Sequence, residues 1–124
     1  MKKISILLVE DYPDTRTLIQ LLLESAGFTV IAKDDGAEAI KFLAAGKPDI
    51  ILTDLMMPRV SGIELIEHAK RNTDLADIPI IAMTAYNSGP AAKAKAAGAV
   101  AVLEKPVALD IVTSTIDEVL SRHP

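Results

Sequence analysis

The sequence contains no cysteine, and only 3% of its residues are aromatic. Without cysteine the chain can form neither a disulfide framework nor a thiolate metal site, which fits a reducing compartment. Half of the residues are hydrophobic, so the scarcity of aromatic rings means that the core is built from Ile, Leu, Val and Ala. The 124 residues are enough to bury such a core, and we predict one domain over residues 1–124.

Basic residues are also in short supply. Lys and Arg number 13 against 17 Asp and Glu, the formal net charge is −4, and no basic run occurs. Direct binding to nucleic acid is disfavoured, because phosphate contacts need clustered Lys and Arg. No apolar run is long enough for a membrane span, and the run at residues 4–9 is too short for a signal peptide and ends at Glu10 and Asp11. We expect a cytoplasmic protein with no nucleic-acid or membrane partner.

Short apolar runs alternate with helical patterns along the whole chain. The runs have the length of strands and lie at residues 4–9, 29–32, 50–53, 80–83 and 100–103. Strands this apolar are buried on both faces, which is typical of a parallel sheet covered by helices. Five strands alternating with five helices therefore predict an α/β fold, a doubly wound parallel sheet in one domain.

The five helical patterns differ in how clearly their ends are marked. The first has Asp14 placed to cap its start, Gly27 to end it, and these residues at helical spacing: Leu18, Leu21, Leu22 and Ser25. The second covers residues 37–45, and the third begins at Ser61, where Glu64 completes a capping box. The fourth covers about residues 88–97 and is rich in alanine. The fifth carries apolar residues at three- and four-residue steps: Leu109, Val112, Ile116, Val119 and Leu120.

Polar residues cluster where the predicted strands end. Ligands bind outside the carboxyl ends of the strands in an open parallel sheet, and four strands deliver polar side chains there: Glu10, Asp11, Asp54, Thr84, Glu104 and Lys105. Carboxylates this close repel one another unless a cation joins them. Mg²⁺ prefers oxygen ligands together with phosphate. A carboxylate can attack phosphorus to form an aspartyl phosphate, and a nearby Lys would neutralise the transferring oxygens.

Each of these residues also has an ordinary structural interpretation. Asp11 would cap the first helix, Glu10 and Lys105 would be solvated, and Thr84 would be a strand-end residue. Asp54 is harder to explain in that way, because no helix begins directly after it to be capped. The presence of polar side chains at four strand ends together favours a functional site at that edge of the sheet.

Four segments of the sequence, which contain these strand ends, resemble in their order and spacing the receiver domains of two-component response regulators. The resemblance covers essentially the whole chain. The segment ILLVEDYPDTR (6–16) resembles the first strand with its acidic pair, and DIILTDLMMPRVSG (49–62) resembles the phosphoacceptor strand and its loop. The segments IPIIAMTA (78–85) and GAVAVLEKP (98–106) resemble the switch strand and the Lys-Pro ending. The resemblance implies the strand order 2-1-3-4-5 of a flavodoxin-like fold.

The resemblance also implies a role for each matched residue. Asp54 would accept a phosphoryl group, and Asp11, Asp54 and the carbonyl of Met56 would bind Mg²⁺, with Glu10 acting through water. Lys105 would pair with the acceptor and then with the phosphoryl oxygens, and Thr84 would reach toward the phosphoryl group. The Lys105–Pro106 peptide bond would be cis.

The implied partners are a histidine kinase or phosphotransfer protein, and a downstream protein bound through the fourth helix, fifth strand and fifth helix. The protein would be a phosphoacceptor switch with slow self-dephosphorylation rather than an enzyme. Receivers usually carry Tyr or Phe three residues before the lysine, where this chain has Val102. Tyr86 is the nearest aromatic candidate for a substitute.

Other functions on the same topology are less well matched. Dehalogenase-type phosphatases need Asp-x-Asp after the first strand, where this chain has Glu10-Asp11-Tyr12-Pro13. No Gly-x-Gly-x-x-Gly follows that strand, so a dinucleotide site is disfavoured. A binding module that has lost phosphorylation would lack the acceptor, the acid pair or the lysine, and all are present. Two organisations stay open, a stand-alone receiver and a segment of a larger regulator or hybrid kinase.

Overall fold

Five parallel strands form one sheet in the computed structural model, which describes residues 3–85 and 89–122. The strands are β1 (Ser5–Val9), β2 (Thr29–Lys33), β3 (Ile50–Asp54), β4 (Ile80–Thr84) and β5 (Ala101–Glu104), and their spatial order is β2-β1-β3-β4-β5. The helices are α1 (Pro13–Ser25), α2 (Gly36–Leu43), α3 (Gly62–Arg71), α4 (Gly89–Ala97) and α5 (Leu109–Arg122). The predicted fold class, element order and strand order are confirmed, and the strand bounds differ from the prediction by one residue at some ends.

The helices cover both faces of the sheet, and alternate residues of each central strand enter different cores. On one face, α1 and α5 pack on strand residues such as Leu8 and Leu52. On the other face, α2, α3 and α4 pack on strand residues such as Leu7 and Ile51. Because β1, β3 and β4 are covered on both faces, they can be apolar along nearly their whole length.

The capping residue predicted for α1 is wrong. The helix begins at Pro13 with Tyr12 as the N-cap residue, and no side chain makes a capping hydrogen bond, so Asp14 lies inside the first turn instead of capping it. Proline fits the first helical position because its missing N–H would have no partner there. The buried face consists of Ile19 and Leu23, while Leu18 and Leu21 are exposed.

The capping box of α3 is confirmed in both directions. The Ser61 hydroxyl accepts from the N–H of Glu64, and the Glu64 carboxylate accepts from the N–H of Ser61, both at 3.2 Å. This box fixes the start of α3 eight residues after the end of β3, and so it bounds the loop that follows Asp54.

Candidate functional site

Three carboxylates converge at the carboxyl ends of β1 and β3. Glu10, Asp11 and Asp54 each offer an oxygen, and these oxygens lie within 4.8 Å of one another. Glu10 is fully buried and Asp54 is 6% exposed, while Asp11 is half-buried. Neighbouring parallel strands bring these residues together because Val9 lies beside Thr53 in the register of β1 and β3. Glu104, at the end of β5, is exposed and is not one of the three.

Lys105 connects the cluster to the far side of the sheet. Its Nζ lies 2.5 Å from Glu10 Oε1 and 3.1 Å from Asp54 Oδ2. The residue follows β5 directly, and its N–H donates to the carbonyl oxygen of Thr84 at 2.8 Å. The Lys105–Pro106 peptide bond is cis, as the resemblance implied. The ammonium of Lys105 thus contacts one carboxylate that follows β1 and another that ends β3.

Burial, hydrogen bonds and neighbouring charges shift the pKa values of Glu10 and Lys105. Burial raises the pKa of Glu10, and the charge of Asp54 acts in the same direction, although hydrogen bonds from Lys105 and the N–H of Tyr12 oppose the shift. Burial alone would lower the pKa of Lys105, but its hydrogen bonds to Glu10 and Asp54 and their charges raise it above the ordinary value. Lys105 therefore stays charged, and it compensates only part of the negative charge of the cluster.

The ordinary interpretations of the acid pair are wrong in the structure. Glu10 is not solvated: it is fully buried, and its Oε2 accepts from the N–H of Tyr12 at 3.0 Å. Asp11 does not cap α1, because the N-cap residue is Tyr12 and no side chain caps that helix.

The loop after Asp54 passes close to the carboxylate of that residue. The N–H of Met56 lies 3.4 Å from Asp54 Oδ1, and the Met56 side chain is 70% exposed. At the other end of the loop, the N–H of Gly62 donates to the carbonyl oxygen of Leu55 at 3.0 Å. A Cβ at Gly62 would lie 2.2 Å from the carbonyl oxygen of Asp54. Glycine is thus required for α3 to begin against the backbone of Asp54.

Thr84 ends β4 beside the cluster and is 2% exposed. On the neighbouring strand β5, Val102 lies opposite Ala82 and packs on the core that contains α2, α3 and α4. The structure therefore places an aliphatic side chain at the position where receivers usually have an aromatic one. Tyr86, the suggested substitute, lies outside the described residues.

Two arginine contacts in the loops of the site were not predicted. Arg16 Nη1 donates to the carbonyl oxygen of Glu10 at 3.0 Å. Arg59, which has a positive φ of 65°, forms an ion pair with Asp35, the N-cap residue of α2. The sequence carries no local signal for either contact, because each depends on how a long side chain reaches across from another element.

The donor set fits a magnesium ion. Mg²⁺ takes hard oxygen ligands and is held by one or two carboxylates with waters or phosphate oxygens completing the shell. Glu10, Asp11 and Asp54 offer such oxygens within one ion's reach, and Lys105 leaves the cluster with net negative charge. The cluster contains no sulfur or imidazole ligand that would favour a softer metal.

The sequence of the whole domain matches a known family. Residues 6–117 match the family of the response regulator receiver domain. The chain belongs to that family. Within the part of this receiver domain that the structure describes, no helix is long and apolar enough to cross a membrane.

Individual receiver proteins are similar over nearly their full length. The polar-differentiation response regulator DivK of Brucella anthropi is 32% identical over 117 residues, which cover 94% of this chain and 95% of DivK. The receiver domain of a signal transduction histidine kinase from Syntrophus aciditrophicus superposes with a TM-score of 0.88 at 30% identity, covering 94% of this chain and 89% of that one. The chemotaxis response regulator CheY4 of Vibrio cholerae has a TM-score of 0.89 at 27% identity, covering 95% and 99%.

Proposed function

We propose that this receiver domain accepts a phosphoryl group on Asp54 in a Mg²⁺-dependent reaction and thereby switches a protein-interaction surface. The observation that carries the proposal is the position of Asp54. It ends a fully buried strand, it pairs with Lys105 at 3.1 Å, and its carboxylate lies within reach of those of Glu10 and Asp11. A carboxylate held in this way is better suited to chemistry than to stabilising the fold, because burying charged groups carries a large desolvation cost.

The reaction transfers a phosphoryl group from a histidine nitrogen to a carboxylate oxygen. A carboxylate oxygen of Asp54 attacks the phosphorus of a phosphohistidine on a histidine kinase or phosphotransfer protein. The P–N bond breaks, the electron pair returns to the imidazole nitrogen, and an acyl phosphate forms on Asp54. A bound Mg²⁺ would neutralise charge on the transferring oxygens. Asp11, Asp54 and the carbonyl of Met56 would hold it, with Glu10 acting through water.

Lys105 and Thr84 would respond to the product. Lys105 Nζ lies within hydrogen-bonding distance of Asp54 and is charged, so it can shift from the carboxylate to the phosphoryl oxygens. Thr84 ends the neighbouring strand, from which its hydroxyl can approach the phosphoryl group. Because Lys105 follows β5 directly, a change at the acceptor reaches the surface formed by α4, β5 and α5, which we propose as the surface that binds a downstream protein.

Intact-mass measurement with a small phosphodonor tests this proposal. We expect one phosphoryl adduct in the presence of Mg²⁺, none with a chelator, and none in Asp54→Asn. Asp14→Asn is a matched control, because Asp14 is an exposed aspartate in the first turn of α1 near the site, and this variant should be phosphorylated like the wild type. An adduct of the same mass on Asp54→Asn would refute the assignment.

A further inference from the structure

Arg16 on α1 holds the backbone of the loop that carries Glu10 and Asp11. Its Nη1 donates to the carbonyl oxygen of Glu10 at 3.0 Å and, at the longer distance of 3.5 Å, to that of Asp11. Arg16 can reach back in this way because helical side chains tilt toward the N-terminus of their helix. It lies in the first turn of α1, where its own N–H donates to the carbonyl oxygen of Tyr12 at 2.9 Å.

These two carbonyl groups belong to the peptide units on either side of the Asp11 Cα. Because each peptide unit is planar, fixing the two planes also fixes the backbone dihedrals of Asp11 and the direction of its Cα–Cβ bond. Within residues 3–85 and 89–122, the Asp11 carboxylate itself makes no hydrogen bond. Its direction therefore depends on the backbone, which Arg16 restrains through these two carbonyl groups and which the Glu10 carboxylate restrains through the N–H of Tyr12.

We propose that Arg16 is a positioning residue for the metal site. It aims the Asp11 carboxylate at the point where the carboxylates of Glu10 and Asp54 converge, without touching the ion. The inference rests on the proposed function, since it concerns the Mg²⁺ site assigned there.

The charge of Arg16 and its contacts with the backbone predict opposite effects on Mg²⁺ affinity when Arg16 is removed. A guanidinium near a cation site repels the cation, so if only its charge mattered, removing Arg16 would strengthen Mg²⁺ binding. If Arg16 positions Asp11, removing it weakens binding, because a carboxylate free to turn must be ordered by the ion. Partners that orient metal ligands typically contribute about 10- to 100-fold to affinity.

Calorimetric titration of the full chain with Mg²⁺ separates these cases. We expect affinity to fall about tenfold in Arg16→Met and by a smaller factor in Arg16→Lys, which keeps the charge and can donate to one carbonyl. Arg122→Met is the matched control, because Arg122 pairs with Glu118 on the exposed surface of α5, and it should bind like the wild type. Affinity equal to or tighter than wild type in Arg16→Met would overturn the inference. Should that variant not fold, wild-type affinity in Arg16→Lys would overturn it.

The Mg²⁺ dependence of phosphorylation gives a second measurement that a folding defect would not reproduce. In Arg16→Met, the Mg²⁺ concentration for half-maximal rate should rise by the same factor as the dissociation constant, while the rate at saturating Mg²⁺ stays near that of the wild type. A lowered plateau with an unchanged half-maximal concentration would contradict positioning. Failure of the wild type to bind Mg²⁺, or unchanged binding in Asp11→Asn, would instead refute the metal site of the proposed function.

Discussion

At the scale of single residues, the three carboxylates of the site carry more negative charge than the ammonium of Lys105 can balance. Lys105 reaches Glu10 and Asp54, but it does not pair with Asp11, the third carboxylate. Burial of Glu10 makes the imbalance more costly, and this is why its pKa is raised. A divalent cation relieves the repulsion among the three carboxylates, so the excess of negative charge favours metal binding.

Mg²⁺ affinity should depend on Asp11 and Asp54 together. We expect Asp11→Ala to weaken binding by at least about tenfold, because it removes a carboxylate that no other described side chain replaces. Calorimetric titration of Asp11→Ala and Asp54→Asn beside the wild type checks this. Unchanged affinity in Asp11→Ala would remove Asp11 from the metal site.

The same affinity should weaken as the pH falls. Metal ligands must be deprotonated, and the folded protein holds the Glu10 proton up to a higher pH than the ordinary value of 4.5. The loss of affinity should therefore begin above pH 4.5 in the wild type. In Glu10→Gln, which removes this titrating carboxyl, the loss should begin at a lower pH. Identical pH profiles for the two proteins would show that Glu10 does not titrate with the site.

The aspartyl phosphate should have a long lifetime. The N–H of Met56 lies 3.4 Å from Asp54 Oδ1, and its exposed side chain offers only a thioether, a weak hydrogen-bond acceptor, to an attacking water. Positioning supplies much of the catalysis in phosphoryl transfer, so Met56→Asn with Tyr86→Glu should speed decay at least several-fold. Decay of the phosphoprotein, followed by intact mass, checks this, and equal or slower decay in the double variant would rule out these two side chains as the cause.

At the scale of elements, the start of α3 is held against the end of β3. A Cβ at Gly62 would meet the carbonyl oxygen of Asp54 and, at 2.7 Å, the Cα of Leu55. Both are backbone atoms, so the contact is relieved only by moving α3 or β3. The glycine that ends the loop after Asp54 therefore has a packing role.

Gly62→Ala should lower the free energy of unfolding by about 1–3 kcal/mol, the usual effect of overpacking. Gly89→Ala is a suitable control, because no described atom lies within 4 Å of its added Cβ and Gly89 begins α4. Alanine there should be neutral or slightly stabilising. Urea unfolding of the two variants measures both effects, and equal stability would contradict the close packing at Gly62.

The fourth helix is weakly anchored. Only Ala91 and Ala94 are buried in α4, whereas α3 buries Leu65, Ile66 and Ala69 in addition to Gly62. Elements with few buried apolar contacts open at low free energy and are easily shifted. We expect phosphorylation to change hydrogen exchange between residues 89 and 105. Changes confined to other parts of the chain would count against the α4, β5 and α5 surface.

At the scale of the whole molecule, the sequence predicted most of the fold because strand burial and helix periodicity are local properties. Polar residues at strand ends then meet through topology, and this is how Glu10, Asp11 and Asp54 were placed together. The buried face of α1 could not be predicted in this way, because apolar residues at 18, 19, 21, 22 and 23 cover more than one face. Packing with α5, through residues such as Ile116, selects Ile19 and Leu23.

Contacts between loops also could not be predicted from the sequence. The Arg59–Asp35 pair joins residues 24 positions apart, and the contact of Arg16 with the Glu10 carbonyl depends on the path of the turn before α1. Both require the packed loops, since their partners are set by distance in space. Local patterns therefore identify the carboxylates that converge at the candidate site but not the residues that hold its loops.

Phosphorylation of Asp54 is tested most directly by locating the phosphoryl group in the protein. Borohydride reduces an acyl phosphate on aspartate to homoserine, and this change can be located by tandem mass spectrometry of peptides. After phosphorylation with Mg²⁺ and a small phosphodonor, we expect homoserine at position 54 and aspartate at every other aspartate position. Homoserine at another position, or a phosphoryl adduct that yields none, would contradict the assignment to Asp54.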